Sequence, residues 1–217
     1  MITITLPNKD KKQYKKPVTS AEIANDISEK LASAALVSIV NGELWDLDRL
    51  IEIDSTISIL TKKNKETLDV IRHDAAHIMA EAVLELFPET QVTIGPSIEN
   101  GFYYDFYREK KFTLSDLEVI EQRMHEIVDR DETILREVWS REKAIDYFKK
   151  NDEKFKLELV KAIPEDETVT FYRQGNFLDL CRGPHTCSTK KLGHSFKLTK
   201  LAGSYWRGDS KNQVLQR

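Results

Sequence analysis

Two short motifs constrain the fold of this chain more than any other feature of its sequence. His73 and His77 are four positions apart, and Cys181 and His185 have the same spacing about a hundred residues later. On a helix, residues four positions apart lie on one face, so the first motif presents both imidazoles together. The second motif contains a Gly-Pro pair, which indicates a loop of fixed shape. If the two motifs meet, they form a polar pocket suited to hydrolysis or to a metal ion.

The composition indicates a globular protein that contacts no membrane. Of the 217 residues, 40% are hydrophobic and 32% are charged, and no segment approaches the ~20 apolar residues of a spanning helix. The N-terminus alternates like a strand and has no apolar signal core. Two cysteines six positions apart indicate free thiols in a reducing environment, so we expect a cytoplasmic protein. The net charge of −3 argues against a uniformly basic surface and leaves local basic patches open.

The N-terminal part of the sequence has the order of a ubiquitin-like β-grasp. Alternating apolar residues predict a half-buried strand over residues 2–6, and a second strand is predicted over residues 14–18. A capping box at Thr19 begins one amphipathic helix whose apolar residues recur as far as Leu31. Asn41-Gly42 is the favoured turn of a β-hairpin, and a last short strand follows it. Two strands, a helix and further strands therefore predict a small mixed domain.

A larger unit follows, and its first element is a long helix predicted from Leu68 to Phe87. The core face of this helix is broad, and His73 and His77 lie roughly opposite it, on the wall of a second and less dry space. Further helices are predicted over residues 114–128 and 140–150, and short strands within 92–106 and over 168–172, 176–180, 196–198 and 204–206. The predicted fold class is α+β, with two domains.

The residues alone leave two chemical interpretations of the His/Cys set open. Three imidazoles and one thiol match a His₃Cys zinc site, because zinc takes nitrogen and thiolate ligands in tetrahedral geometry. The same groups can instead transfer protons and donate hydrogen bonds around a bound water. Asp179 lies two residues before Cys181, so on a continuous strand both side chains face the same way. Its carboxylate can then bind a substrate ammonium or orient a histidine.

Basic residues cluster at 9–16 and again at 190–207, where they alternate with aromatic residues. Basic side chains attract phosphates, and aromatic faces can stack on unpaired bases. This pattern predicts contact with RNA.

Five segments closely resemble the N-terminal half of bacterial threonyl-tRNA synthetases: RHDAAHIMAEAV, IGPSIENGFYYDF, NDEKFKLELV, FLDLCRGPHT and FKLTKLAGSYWRGDS. The match runs over the whole chain and preserves order and spacing. It implies a β-grasp TGS domain over residues 1–61, a linker over 62–66, and an α/β two-layer editing domain over 67–217, shared in outline with alanyl-tRNA synthetases. It also implies that the class II catalytic core and the anticodon-binding domain are absent, so the fragment is not expected to charge tRNA.

The resemblance assigns roles to ten residues. Its expected catalytic residues are His73, His77, Lys156, Asp179, Cys181 and His185. Its expected substrate-binding residues are Gly95, Pro96, Tyr104 and Arg182. In this assignment His73 positions or deprotonates the attacking water, and Lys156 acts at the scissile ester. No metal is required for editing, although His73, His77, Cys181 and His185 are the ligands if zinc is bound. ATP, magnesium and a further zinc ion belong only to the absent core.

The implied function is proofreading, in which the ester of seryl-tRNA specific for threonine is hydrolysed at the tRNA 3′ end. Proteins of this family are homodimers at full length, whereas the fragment is compatible with a monomer. Two other classes of function stay open: a zinc-dependent hydrolase of small esters, and a tRNA-binding module without catalysis.

Overall fold

The computed structural model describes residues 1–217 and has the predicted α+β fold class. We refer to residues 2–61 as the N-terminal unit and to residues 67–217 as the C-terminal unit. The elements of the N-terminal unit are β1 (Ile2–Thr5), β2 (Lys11–Tyr14), β3 (Val18–Thr19), α1 (Ser20–Ile27), α2 (Glu29–Ala34), β4 (Ala35–Val40), β5 (Glu43–Trp45), β6 (Leu50–Ile51) and β7 (Ser55–Thr61).

A five-stranded sheet forms the base of the N-terminal unit, with the strand order β2-β1-β7-β4-β5. Strand β1 is parallel to β7, and the other neighbours are antiparallel. Helix α1 packs on this sheet because its Ile23 and the strand residues Ile4 and Ile57 share one buried cluster. The predicted capping box at Thr19 is present. This mixed sheet with a packed helix is the predicted β-grasp arrangement.

Two predictions for the N-terminal unit are wrong. The single predicted helix is two helices, which meet at Ser28. This residue has extended backbone, and its hydroxyl accepts a hydrogen bond from the Leu31 N–H at 3.1 Å. Serine is a favoured N-cap, so the chain begins a new helix there. The strand predicted over residues 14–18 lies earlier, at Lys11–Tyr14, because the Leu6 N–H bonds the Asp10 carbonyl and closes a tighter turn.

The C-terminal unit mixes helices with short strands. Its elements are α3 (Thr67–Leu86), β8 (Gln91–Val92), β9 (Ser97–Ile98), β10 (Gly101–Phe102), β11 (Phe106–Tyr107), α4 (Leu114–Arg130), β12 (Ile134–Trp139), α5 (Arg141–Lys150), α6 (Lys154–Ala162), β13 (Val169–Gln174), β14 (Phe177–Leu180), β15 (Gly203–Tyr205) and β16 (Val214–Gln216). Two 3₁₀ turns, Thr189–Lys191 and Trp206–Gly208, complete it. None of the helices has the length and apolar character needed to cross a bilayer.

Helix α3 lies at the centre of this unit. Its Ala75, Ile78 and Ala82 are buried in the largest apolar cluster, together with Met124 of α4. A second cluster joins helices α5 and α6 to the antiparallel sheet β12-β13-β14. The sheet and α3 thus hold the two sequence motifs within one folded body.

Four elements of the C-terminal unit differ from the predictions, and one of them is strand β16, which has no predicted counterpart. Strand β12 and helix α6 were not predicted, because Leu135 and Val138 of β12 are exposed and break the alternation that marks a strand. Helix α6 carries many charges and shows only a short apolar face. The strand predicted over residues 196–198 is absent. The Leu198 N–H instead donates to the Glu121 carboxylate at 2.7 Å, which fastens this segment to α4.

A buried carboxyl cluster lies on α3, one turn beyond His77. Glu81 is 3% exposed and accepts a hydrogen bond from the Gln174 amide. Burial raises the pKa of Glu81 to about 8; the charge of Glu132 adds to the rise and the Gln174 hydrogen bond opposes it. The folded chain therefore retains a proton that the unfolded chain has already lost above pH 5.

We predict that the chain loses stability as the pH rises from about 5 to 8, because the native state binds the extra proton in this range. The slope is at most about 1.4 kcal/mol per pH unit. The variant Glu81→Gln should lack this component in urea unfolding at several pH values. The control Glu118→Gln, at an exposed position, should keep the same loss of stability with pH. If Glu81→Gln shows the same pH dependence as the original chain, the pH dependence does not come from Glu81.

Candidate active site

The two sequence motifs meet beside the first three turns of helix α3. His73 and His77 project from α3, and Cys181 and His185 lie in the loop after β14. The His73 Nε2 is 3.0 Å from the Cys181 sulfur, which is in turn 3.4 Å from the His185 Nε2. The ring centroids of His73, His77 and His185 lie 4.3 to 4.7 Å from one another. The i, i+4 spacing on α3 brings its two imidazoles to the loop together.

A charged network adjoins the histidine cluster. Asp179 of β14 pairs with the Lys156 ammonium of α6, and each side chain is only 3% exposed. The Tyr104 hydroxyl donates to Asp179 at 2.7 Å and accepts from Lys156 at 3.1 Å. The His77 Nε2 lies 3.7 Å from the same carboxylate. Four segments that are distant in sequence are therefore joined by polar contacts.

These buried groups shift one another's protonation. Burial, together with the Asp179 charge, raises the pKa of Tyr104 well above its usual value, so its hydroxyl stays a donor. Burial raises the pKa of Glu153, next to this network, to about 7, and the Lys156 charge opposes the rise. For His77, burial and the charge of His185 lower the pKa. The neutral imidazole of His77 can accept a proton or a hydrogen bond.

Cys181 and His185 form a pair with opposite shifts. Burial disfavours the Cys181 thiolate, but the charge of His185 and the hydrogen bonds from His185 and His73 hold its pKa well below the usual value. Burial by itself would lower the pKa of His185. The Cys181 charge and the Asp74 hydrogen bond outweigh this effect, and the pKa of His185 is raised to about 10. The pair is thus a thiolate and an imidazolium.

A cavity of about 610 Å³ opens onto both groups. Its walls include most residues that the resemblance names: His73, His77, Gly95, Pro96, Tyr104, Lys156, Asp179, Cys181 and Arg182. His185 is not at this wall; it lies behind Cys181 and is 2% exposed. Arg182 is at the rim, where its exposed guanidinium pairs with Glu167 at 2.6 Å. The cavity is large enough for an amino acid attached to a nucleoside.

Glycines permit two close approaches in these walls. A Cβ on Gly95 would lie 2.1 Å from the ring of Tyr104, and a Cβ on Gly183 would lie 2.0 Å from the hydroxyl of Tyr172. Gly183 also has a φ of +70°, which side chains rarely adopt. The Tyr104 ring can therefore pack closely against the backbone at Gly95, and both residues line the cavity.

Two aspartates hold His185, and neither was predicted from the sequence. Asp74 of α3 lies 2.8 Å from the His185 Nδ1, which orients the ring toward Cys181. Asp46, from the N-terminal unit, accepts the His185 backbone N–H at 2.9 Å and also the Tyr172 hydroxyl. Asp74 is adjacent to His73 in the first motif, and that adjacency was the only available signal. The contacts of Asp46 span the two units, so no local pattern could reveal them.

The His/Cys cluster has the donor set of a zinc site. The ligand atoms of His73, His77, Cys181 and His185 all lie within 4.8 Å of one another, and His₃Cys is a suitable tetrahedral set. Asp74 behind His185 resembles the carboxylate that commonly orients a zinc-bound imidazole. The residues therefore fit zinc as well as a metal-free polar site.

Comparison with known proteins identifies both units. The TGS domain family model matches residues 2–61, and the model of the threonyl and alanyl tRNA synthetase second additional domain matches residues 169–217. The threonine–tRNA ligase of Paramagnetospirillum magneticum is 58% identical over all of this chain, and those of Rickettsia bellii and Rickettsia akari are 57% identical. In each case the chain covers 34% of the relative, so it spans about a third of the length of these proteins.

The fold, the pocket and the two family models define a tRNA synthetase region that combines a TGS domain with a domain of the editing type. Over its whole length the chain is similar to the N-terminal region of threonine–tRNA ligases, at 57–58% identity. The domain match contains Asp179, Cys181 and His185, whereas His73 and Lys156 lie outside it. The full-length relatives align with all five positions.

We predict that Lys156→Met lowers the free energy of unfolding by about 3–5 kcal/mol at neutral pH, because it leaves the Asp179 carboxylate buried without its cation. Urea unfolding measures this loss. The matched control Lys154→Met removes a lysine that is 69% exposed on the same helix and should change stability by less than about 0.5 kcal/mol. Adding Asp179→Asn to Lys156→Met should restore at least half of the loss, and no restoration would argue against the pairing.

Proposed function

We propose that this chain hydrolyses the ester that links serine to the 3′ end of threonine-specific tRNA. The observation that carries the proposal is the convergence of the Lys156–Asp179–Tyr104 network and the His73/His77/Cys181 cluster on one cavity. The first group offers charges for the ends of an aminoacyl ester, and the second offers imidazoles for a water molecule. The full-length relatives, named threonine–tRNA ligases, support the choice of tRNA.

A selectivity problem explains why such a site accompanies a threonine-specific synthetase. Serine lacks one methyl group of threonine and keeps its hydroxyl, and a missing methyl is worth only about 1–3 kcal/mol, or roughly 10–200-fold. A second site can exclude the larger amino acid sterically and hydrolyse the smaller one. The contact between Tyr104 and Gly95 limits the cavity on one side and is a suitable steric barrier.

The proposed reaction is attack of water on the ester carbonyl. His73 positions the water, directly or through the ribose hydroxyl, and takes up its proton as the carbon–oxygen bond to water forms. Lys156 stabilises the developing charge and supplies the proton as the bond to the ribose oxygen breaks. Asp179 and His77 bind the seryl ammonium and hydroxyl. Removing a positioned general base of this kind costs about 10²–10⁴-fold in rate.

The remaining residues shape the pocket. Cys181 and His185 polarise the floor as a thiolate and an imidazolium, and Asp74 keeps His185 oriented. Gly95, Pro96 and Tyr104 form the opposite wall, and Arg182 at the rim lies where the terminal nucleotide enters. The editing domain spans residues 67–217, joined by a linker over 62–66 to the TGS domain over 1–61. The chain functions in the cytoplasm, within a homodimer when it is part of a full-length protein.

We predict that His73→Asn lowers the rate of seryl-tRNA deacylation by about 10²–10⁴-fold, while threonyl-tRNA is stable with either protein. Release of labelled serine from tRNA measures the rate. His125→Asn is the control, because His125 is on the surface of α4 and contacts His194 at 2.8 Å, away from the cavity. A chain that deacylates threonyl-tRNA as fast as seryl-tRNA, or a His73→Asn variant with full activity, would refute the proposal.

The main alternative function is a zinc-dependent hydrolase of small esters. The His/Cys cluster fits zinc, and such an enzyme would use the same residues. We propose that editing needs no metal, because the imidazoles, the ammonium and the carboxylate around the cavity can position and activate a water molecule by themselves. Dialysis against a chelator should then leave seryl-tRNA deacylation unchanged. Loss of activity that added zinc restores would favour the zinc enzyme. Hydrolysis of a small seryl ester as fast as that of seryl-tRNA would argue for an enzyme without RNA specificity.

A further inference from the structure

A basic cleft of about 360 Å³ lies where the two units meet. It is lined by Ser33, Ala34, Leu36, Thr61, Lys62, Lys63, Lys190 and Lys191. Half of these residues are lysines, and none is acidic or aromatic. We call this group the seam cleft. Its composition differs sharply from that of the whole chain, which carries a net charge of −3.

The lysines of the seam cleft come from both sides of the boundary. Lys62 and Lys63 follow strand β7, whereas Lys190 and Lys191 belong to the 3₁₀ turn Thr189–Lys191. The Lys191 ammonium donates to the Ser33 carbonyl at 2.6 Å, which fastens that turn to the N-terminal unit. The Lys62 ammonium lies 3.6 Å from the place of a Cβ on Gly193. Lysines of both pairs therefore line one concavity.

Most of the positive charge in the seam cleft has no acidic partner. Within 4.0 Å, Lys190 has one carboxylate, that of Asp131 at 3.7 Å, and Lys62, Lys63 and Lys191 have none. Elsewhere in the basic segment 190–207, Lys197 and Arg207 have acidic partners, whereas Lys200 has none within 4.0 Å. Lys197 pairs with Glu121 at 2.9 Å. Arg207 faces Glu158 at 3.7 Å. The positive charge of this segment is thus available for an external anion mainly in the seam cleft.

We propose that the seam cleft binds backbone phosphates of the RNA whose acylated end enters the active-site cavity, an inference that rests on the proposed function. Several ammonium groups around one concavity repel one another, and a phosphodiester offers oxygens to more than one of them. The absence of aromatic residues leaves no platform for an unpaired base, so the contact is with the backbone and is independent of sequence.

The position of the seam cleft relative to the cavity suits one RNA ligand. Lys190 follows His185 by five residues, and even a fully extended chain of this length spans at most about 18 Å. The same short segment therefore contributes to the active-site cluster at one end and to the cleft at the other. Because Lys62 and Lys63 lie at the junction of the units, bound phosphate would also hold the TGS domain against the editing domain.

The test is binding of an unacylated threonine-specific tRNA transcript to the whole chain at several salt concentrations. The double variant Lys62→Gln/Lys190→Gln spares the Lys191 contact with Ser33. It should weaken binding about tenfold near 0.1 M salt and lower the slope of log K against log salt by about 2. The KM for seryl-tRNA should rise by the same factor with kcat unchanged. Hydrolysis of a small seryl ester should not change.

The matched control is Lys149→Gln/Lys150→Gln, which removes the same charge from exposed positions at the end of α5. Equal losses of affinity in the two double variants would overturn the proposal, because the effect would then be general charge. Unchanged tRNA binding in the Lys62→Gln/Lys190→Gln variant would also overturn the proposal. If the wild-type chain binds tRNA through the cleft but hydrolyses no seryl-tRNA, the proposed function fails and the binding site stands. Weaker binding of an acidic peptide than of tRNA supports RNA as the ligand, and the reverse contradicts it.

Discussion

The Lys156 ammonium and the Asp179 carboxylate meet where each side chain is only 3% exposed, and the rest of the site depends on this pair. Either charge alone would be strongly unfavourable in such a place. Together, and with the Tyr104 hydroxyl between them, they fix helix α6, strand β14 and the segment around Tyr104 in one arrangement. That arrangement leaves a cavity with a cation, an anion and the imidazoles of His73 and His77 along its walls. The same buried charges that hold the segments together therefore also line the cavity.

Two further carboxylates, those of Asp74 and Asp46, support the loop that carries Cys181 and His185. Asp74 orients His185, and Asp46 reaches from the N-terminal unit to the His185 backbone and to Tyr172. The small apolar cluster of Val37, Leu60 and Val70 also joins the two units. The N-terminal unit is thus a direct support of the loop that carries Cys181 and His185. The seam cleft lies along the same boundary between the two units.

The sequence predicts those features whose signals are local. The Asn41-Gly42 hairpin, the capping box at Thr19 and the long helix of the first histidine motif follow from turn chemistry and periodicity. Helix α6 cannot be predicted in this way, because it carries many charges and has only a short apolar face. Lys156 is therefore identified as a site residue only through the family resemblance. The partners of Asp74 and Asp46 lie 111 and 139 residues away. Such contacts are products of tertiary packing, and no spacing rule encodes them. For His185 the sequence made a prediction that the structure does not match. Its motif predicts a position in the pocket wall, whereas packing places it behind Cys181.

The most direct test of this account is a crystal structure of the chain with a seryl group joined by a stable amide to the 3′ position of adenosine. The account predicts that the serine ammonium and hydroxyl lie within hydrogen-bond distance of Asp179 and His77. It also predicts the amide carbonyl beside Lys156, a water molecule held by His73, and the adenosine directed toward Arg182. A ligand bound outside this cavity, or a seryl group that contacts neither Asp179 nor Lys156, would contradict it.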